Sequence, residues 1–452
     1  MKKGYVAYVL VALAICLVPS VGLLFGGGEV SSDSDSAPAP RLVEEDGSIN
    51  LEVLSDAGSW FDDHFAFRNE FITACSSVTG GVFETSSSDE VIQGSDGWLF
   101  YGNSLGDYQG TNHLTDRQLH DIARDLRLMQ DYVEENGSKF VFTIAPNKNS
   151  LYDANMPYYY QGALVGERNR DRLVPFLEEE GVNYVDLYEH FSNEDEVLYH
   201  ATDSHWNNKG ASQAADLILE SLNKEHPDYS NAPYEVRSDF TGDLEKMLYP
   251  AAPKKEDEIY YSPSPQDSYD YETSIESTFD PFIQTKAKRK SGTLLMYRDS
   301  FGNSLLPFMA ENYSSATFSR GVPYSIGIDM DLYAPDTVVV ERAERFLQEM
   351  AEQAPLVPGR YIEDGSLENA FFSNLENVTE EKQGNGYTLV TGKIPEDLLT
   401  DDSDVFIRVD GAVDYEAASY SDSDGNECFS LLVPDEVLDA TGNSYGIYLA
   451  SK

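Results

Sequence analysis

The feature that most limits the fold of this chain is a helical pattern followed at once by a short, wholly apolar run. Leu119, Ile122, Leu126, Met129 and Val133 recur at helical spacing behind a Thr115-x-x-Gln118 capping box, and Gly137 suits the C-terminal cap. Phe140-Val141-Phe142-Thr143-Ile144-Ala145 then stands between Lys139 and Pro146. A run with no polar face needs cover on both sides, which is the situation of a parallel strand in an α/β domain. The alternation continues with helices over 168–180 and 210–222, strands over 184–187, 293–297 and 337–340, and a closing helix over 342–350.

In open parallel sheets, ligands bind outside the carboxyl ends of the strands. Three polar segments fall there. Asn147, Lys148 and Asn149 follow the strand ending at Ala145, Ser300 follows the strand ending at Tyr297, and Asp203 and His205 precede the 210–222 helix. Thr202-Asp203-Ser204-His205-Trp206 and Tyr297-Arg298-Asp299-Ser300-Phe301-Gly302 together supply a carboxylate, an imidazole and a hydroxyl. A serine hydroxyl is a weak nucleophile at neutral pH. It must pass its proton to an imidazole, which a carboxylate holds in the right tautomer. Ser300 is therefore the candidate nucleophile, His205 the base and Asp203 its orienting partner. Asn147, Lys148, Phe301 and Trp206 are the candidates for oxyanion or substrate binding.

Residues 227–292 are rich in Tyr, Pro, Ser and Asp and read as an insert, in which Tyr260, Tyr261, Tyr269 and Tyr271 offer an aromatic platform for sugars or plain surface cover. After Pro358 the pattern changes to short strands at 387–391, 405–409, 428–433 and 445–450, separated by Asp424-Gly425 and Gly442-Asn443 turns. That predicts a small β-sandwich-like domain over 358–452.

The N-terminus sets the compartment. A basic n-region, 1–4, precedes an uncharged apolar run at 5–25, about long enough to cross a bilayer. Positive charge ahead of it predicts a single-pass signal anchor with the rest outside the cytoplasm, or a secreted chain if the segment is cleaved. Cys16 follows Ile15, which fits poorly with a lipoprotein signal. Residues 26–49 read as a flexible linker and 50–357 as the main domain. Cys75 and Cys428, the cysteines beyond the anchor, either pair or stay as thiols. The net charge of −48 excludes nucleic acid and disfavours polyanionic glycans unless a basic patch such as 286–290 receives them.

With these residues on the page, the chain resembles the SGNH-like domain of the alginate O-acetyltransferases AlgJ and AlgX, and most of all their DHHW relatives. Asp203-Ser204-His205-Trp206 stands where that group has its tetrad, with Ser204 replacing the first His, and Asp299-Ser300-Phe301 stands for the nucleophile motif. Further likeness lies in Gly94-x-Asp96-Gly97-Trp98-Leu99-Phe100-Tyr101, in Pro146 to Tyr152, in Phe61-x-x-His64-Phe65-x-Phe67-Arg68, and in Pro335 to Glu341. The resemblance implies a flavodoxin-like three-layer αβα domain with a parallel sheet and a Ser300–His205–Asp203 triad. It also implies an O-acetyltransferase acting on a cell-surface or exported polysaccharide, fed by a membrane-bound acyl donor protein and needing no cofactor or metal. Arg298 stands where a small residue is usual, so the likeness does not assign every oxyanion donor.

Other readings stay open. The same triad serves an acetyl esterase if water takes the acyl group. A non-catalytic glycan-binding or scaffold protein would use the β domain and the insert. His200, Asp203 and His205 would reach one cation, but at a spacing that matches no standard zinc signature.

Overall fold

The computed structural model describes residues 2–24, 37–43, 47–162, 166–362, 371–384, 386–395, 398–411, 413–438 and 442–451. They fall into two compact units, one of Met1–Gln93 with Thr241–Lys255, the other of Gly94–Phe240 with Glu256–Lys452.

The first unit is helical, with Lys2–Leu24, Val53–His64, Arg68–Phe83 and Asp243–Leu248. Within it Trp60 stacks on His64 at 4.7 Å and the Ala251 amide donates to Thr73 Oγ1 at 3.0 Å. The apolar run of the N-terminus lies in the first of these helices, which contains Pro19. The side chain of Cys16 and the linker residues 25–36 lie outside the described residues. Among the described residues no helix is long and apolar enough to cross a membrane. The single-pass anchor is therefore not supported.

The second unit is mixed α/β. Its central sheet contains β1 (Lys139–Ala145), β2 (Tyr184–Val185), β3 (Asp270–Tyr271), β4 (Phe282–Lys286), β5 (Thr293–Tyr297), β6 (Ser315–Ser319) and β7 (Thr337–Ala343), in the order β2-β1-β7-β5-β6-β4-β3. The strands from β2 to β6 along that order run parallel, with Val339 of β7 opposite Val141 of β1 and Met296 of β5. β4 and β3 join antiparallel. The sheet is thus mixed rather than parallel throughout, and both antiparallel strands come from the insert. They sit at an edge, where half-exposed polar strands are tolerated, so the composition of the insert hides them.

The apolar runs behave as strands covered on both faces. Val141, Met296 and Val339 enter one buried cluster, with Ala211, Ala214 and Ile218 of α3 (Asn208–Ser221). Phe140, Phe142, Leu295 and Val338 enter another, with Ile122, Leu126 and Met129 of α1 (Asp116–Glu135) and Leu173 of α2 (Asn169–Glu180). The capping box on α1 is formed: Thr115 Oγ1 accepts from the Gln118 amide at 3.1 Å, and Gln118 Oε1 accepts from the Thr115 amide at 2.9 Å. α4 (Gly302–Ala310) starts just past β5 and packs on α3.

Two elements differ from expectation. β7 runs on to Ala343, and the closing helix starts only at Leu347, after a 3-10 turn. Glu341 and Arg342 look like solvent-facing residues in sequence, yet both are buried against polar partners. The C-terminal strands join in one eight-stranded antiparallel sheet rather than two stacked sheets. Its Ser403–Val409, Val413–Ser421 and Glu427–Pro434 strands are neighbours in that sheet, and Val413–Ser421 packs on α1. Cys75 and Cys428 are free thiols.

Candidate active site

The parallel strands end at the rim predicted from sequence, and three segments converge there. His205 Nε2 lies 2.8 Å from Ser300 Oγ, and His205 Nδ1 lies 2.7 Å from Asp203 Oδ1. The Asp203 carboxylate also accepts the His205 amide at 3.0 Å, which folds the Asp-Ser-His segment into a tight turn with the imidazole facing outward over it. Ser204 Oγ lies 3.1 Å from Nδ1, so the residue replacing the family's first His touches the same nitrogen as Asp203. With a carboxylate on Nδ1, Nε2 faces Ser300 Oγ in the position to accept the serine proton.

Behind Ser300 the loop is held by carboxylates. Asp299 Oδ1 accepts the Phe301 amide at 2.9 Å, Asp299 Oδ2 accepts the Ala343 amide at 2.6 Å, and the Asp299 amide donates to Glu341 Oε2 at 3.1 Å. Burial, then the neighbouring Asp299 charge, pushes the Glu341 carboxyl up. Arg298 does not face the reacting side. Its guanidinium is buried and donates to Asn303 Oδ1 and to the carbonyls of Thr278 and Asp280, fastening the insert to the nucleophile turn. Burial lowers its pKa to about 10. Gly302 must stay small, since a Cβ there would lie 2.6 Å from Arg298 Cβ.

The structure reassigns several of the expected binding residues. Lys148 Nζ donates to the carbonyls of His200 (2.9 Å), Ala201 (2.9 Å) and Asp203 (2.7 Å), so it pegs the Asp-His loop and has no proton left for substrate. Trp206 is buried, with Nε1 donating to the Phe301 carbonyl at 3.1 Å and its ring against Phe301. The Phe301 amide is committed to Asp299, which removes it as an oxyanion donor. Asn147 lies buried on the rim, its backbone amide bound to Glu344 Oε2 at 2.9 Å. Its side-chain amide faces the Asp107 carboxylate without closing to hydrogen-bond distance. Burial pushes Asp107 up to about 6 and Glu344 up to about 7.

Sequence reasoning missed Arg345. Its Nη2 lies 3.3 Å from Ser300 Oγ, and its guanidinium rests over the rings of Phe301 and Phe346 at 5.1 and 4.9 Å. Its Nε is buried without a partner among the described residues. The Ser300 amide likewise has no partner among them. Two donors beside one hydroxyl form the geometry that stabilises charge on the oxygen of an acyl carbon bonded to that serine. The signal for Arg345 was its place just past the carboxyl end of β7.

His200 belongs elsewhere. Its Nε2 meets Glu258 at 3.0 Å and its ring stacks on Phe240 at 3.7 Å, which draws it away from any cation shared with Asp203 and His205. Burial opposes its charge, but Glu256 and Glu258 outweigh that and raise its pKa to about 9.

Residues 91–288 match the family model of the SGNH hydrolase-like domain of acetyltransferase AlgX. The family resemblance read from the motifs therefore holds over that segment, and it is a resemblance to enzymes. The segment is less than half of the chain; it includes Asp203 and His205 and ends before Ser300. Among solved structures, Bacillus cereus PatB1 is similar at 14% identity, covering 57% of this chain and 96% of that one, with a TM-score of 0.45. A DHHW family protein from Eubacterium siraeum is similar at 16% identity over 50% of this chain and 85% of that one, with a TM-score of 0.38. Pseudomonas aeruginosa AlgX is similar at 14% identity over 82% of this chain and 95% of that one, with a TM-score of 0.39. TM-scores this low carry no inference about the site. No curated protein matches the chain.

Proposed function

We propose that the chain is an O-acetyltransferase that modifies a cell-surface or exported polysaccharide through an acetyl-serine at Ser300. The observation that carries this reading is the unbroken relay from Asp203 Oδ1 through His205 to Ser300 Oγ, with contacts of 2.7 and 2.8 Å. Ser300 Oγ attacks the acetyl carbonyl while His205 Nε2 takes its proton. The Arg345 guanidinium and the Ser300 amide receive the charge on the carbonyl oxygen, each such donor contributing about 3–4 kcal/mol when preorganised. The bond to the leaving group breaks, and the imidazolium returns the proton to that group. A sugar hydroxyl, deprotonated by His205, then takes the acetyl from Ser300. If water takes its place the enzyme is an esterase with the same machinery.

The reading includes a three-layer arrangement around the sheet and a site of action outside the cytoplasm. The latter rests on Lys2, Lys3 and the apolar run that follows them, a pattern of exported chains, with the single-pass anchor left aside. An acyl donor delivered by a membrane-bound partner completes it.

The test is intact mass spectrometry after mixing the protein with p-nitrophenyl acetate. One acetyl on the wild type and none on Ser300→Ala is the expected result. Equal acetylation of both would remove Ser300 from the reaction.

A further inference from the structure

The hairpin formed by Tyr234–Phe240 and Glu256–Tyr261 carries a feature the triad chemistry does not use. A cavity of about 660 Å³ opens against it, within the range of ligand sites, roughly 300–1,000 Å³. Tyr234, Glu235, Arg237 and Tyr260 of the hairpin face Ser304 and Pro307 of α4 across it. Ser304 lies four residues past Ser300, in the first turn of that helix. Asn208, three residues past His205, lines the cavity as well. The cavity is thus lined by residues that closely follow both halves of the relay along the chain.

The hairpin is also tied to the Asp-His loop. Glu256 accepts the amides of Ala201 and Thr202 at 2.9 and 3.0 Å, and Glu258 meets His200 at 3.0 Å and the Asn208 amide at 3.2 Å. A ligand resting on the hairpin is thereby held in fixed register with His205.

The lining chemistry narrows the ligand. Tyr234 is 53% exposed and presents an aromatic face, which suits the C–H faces of a sugar ring. Of the four tyrosines expected as a platform, Tyr269 is buried and Tyr271 pairs with it, while Tyr260 and the largely buried Tyr261 line the cavity. Arg237 is the only cation among the lining residues, and it is occupied: its guanidinium covers Tyr260 at 3.3 Å and pairs with Glu235 at 3.3 Å. Glu235 and Asp267 leave the wall net negative, on a chain of net charge −48. Such a wall repels a uronate polymer and accepts an uncharged one.

Resting on the acetyltransferase reading, we propose that this cavity is the acceptor subsite and that it takes an uncharged oligosaccharide, presenting one hydroxyl to acetyl-Ser300.

The experiment uses the full chain with cellopentaose, chitopentaose and maltopentaose as neutral probes and a mannuronate pentamer as the charged one. Binding is read by titration calorimetry on Ser300→Ala, and acetyl transfer by mass spectrometry on the wild type. At least one neutral probe is expected to bind and the uronate not. Tyr234→Ala with Tyr260→Ala should weaken that binding about tenfold or more, with an unchanged unfolding midpoint. Glu235→Lys, at an exposed position, should narrow the preference for the neutral probe. Binding of no neutral probe, equal binding of the uronate, or undiminished binding by the tyrosine variant would overturn the proposal. If the wild type forms no acetyl-Ser300, the acetyltransferase reading fails instead, and calorimetry still decides the cavity.

Discussion

The rim around Ser300 and the seam between α1 and the C-terminal strands are built from the same materials: buried carboxylates, an arginine and a serine hydroxyl. In the seam each group has a partner among the others, with Arg117 Nε, Asp121 Oδ2 and Asp125 Oδ2 left over among the described residues. Arg117 reaches Asp121, Ser419 Oγ at 3.0 Å and the Ser403 carbonyl at 2.5 Å, while the Ser419 amide donates to Asp125 at 3.1 Å. Burial, followed for Asp125 by the charge of Asp121, pushes both carboxyls up. In the rim, Arg345 Nε and the Ser300 amide are donors without partners among the described residues, and the hydroxyl faces a base rather than a final acceptor. A hydroxyl that ends on an acceptor fixes one packing; one that faces a base can give up its proton.

Substitutions in the two regions should therefore separate activity from stability. The largest effect is expected from Asp203→Asn, which keeps the shape but presents the wrong tautomer. Acetylation of Ser300 should fall about 10⁴-fold, read by stopped flow, while the urea unfolding midpoint stays put. A parallel loss of stability would make Asp203 a structural residue like those of the seam. Next comes Arg117→Ala, which strands Asp121 in a buried site. It should cost about 3–5 kcal/mol in urea unfolding with little change in acetylation by the molecules that remain folded. A large activity loss without destabilisation would couple the seam to the site.

The smallest effect concerns pH. His200 has a folded-state pKa raised from 6.5 to about 9, so it is charged in the fold where it would be losing charge in the unfolded chain. Its stabilisation is complete below about pH 6.5, declines as pH rises through 9, and is absent above that. The loss should be on the order of 2 kcal/mol, below the full linkage value because water reaches Glu256. Urea titrations at a series of pH values should show this slope in the wild type and a flatter one in His200→Gln.

What the sequence made legible follows from the same contrast. β1 was readable because its residues are apolar on both faces, and the relay because Asp203, His205 and Ser300 carry unusual chemistry close to strand ends. β3 and β4 were not, since β3 is a two-residue edge strand and β4 beside it buries only alternate residues within a polar insert. Arg345 was hidden for a different reason. The apolar pattern of β7 stops at Val340, but the strand continues through the charged Glu341, whose partner Asp299 is distant in sequence, and Arg342, which reaches Glu349. Lys148 was misread because a lysine near a site suggests a ligand contact, whereas three carbonyls of one loop claim it.

That lysine has a further consequence. On the acetyltransferase reading proposed above, activated acetyl groups would meet the protein's own amines, and an amine acylates only through a free lone pair. Lys148 is 4% exposed, and its three protons are all engaged beneath the loop that carries the base. The amine nearest the Asp-His turn is in this way shielded from self-modification by the bonds that hold the turn in place.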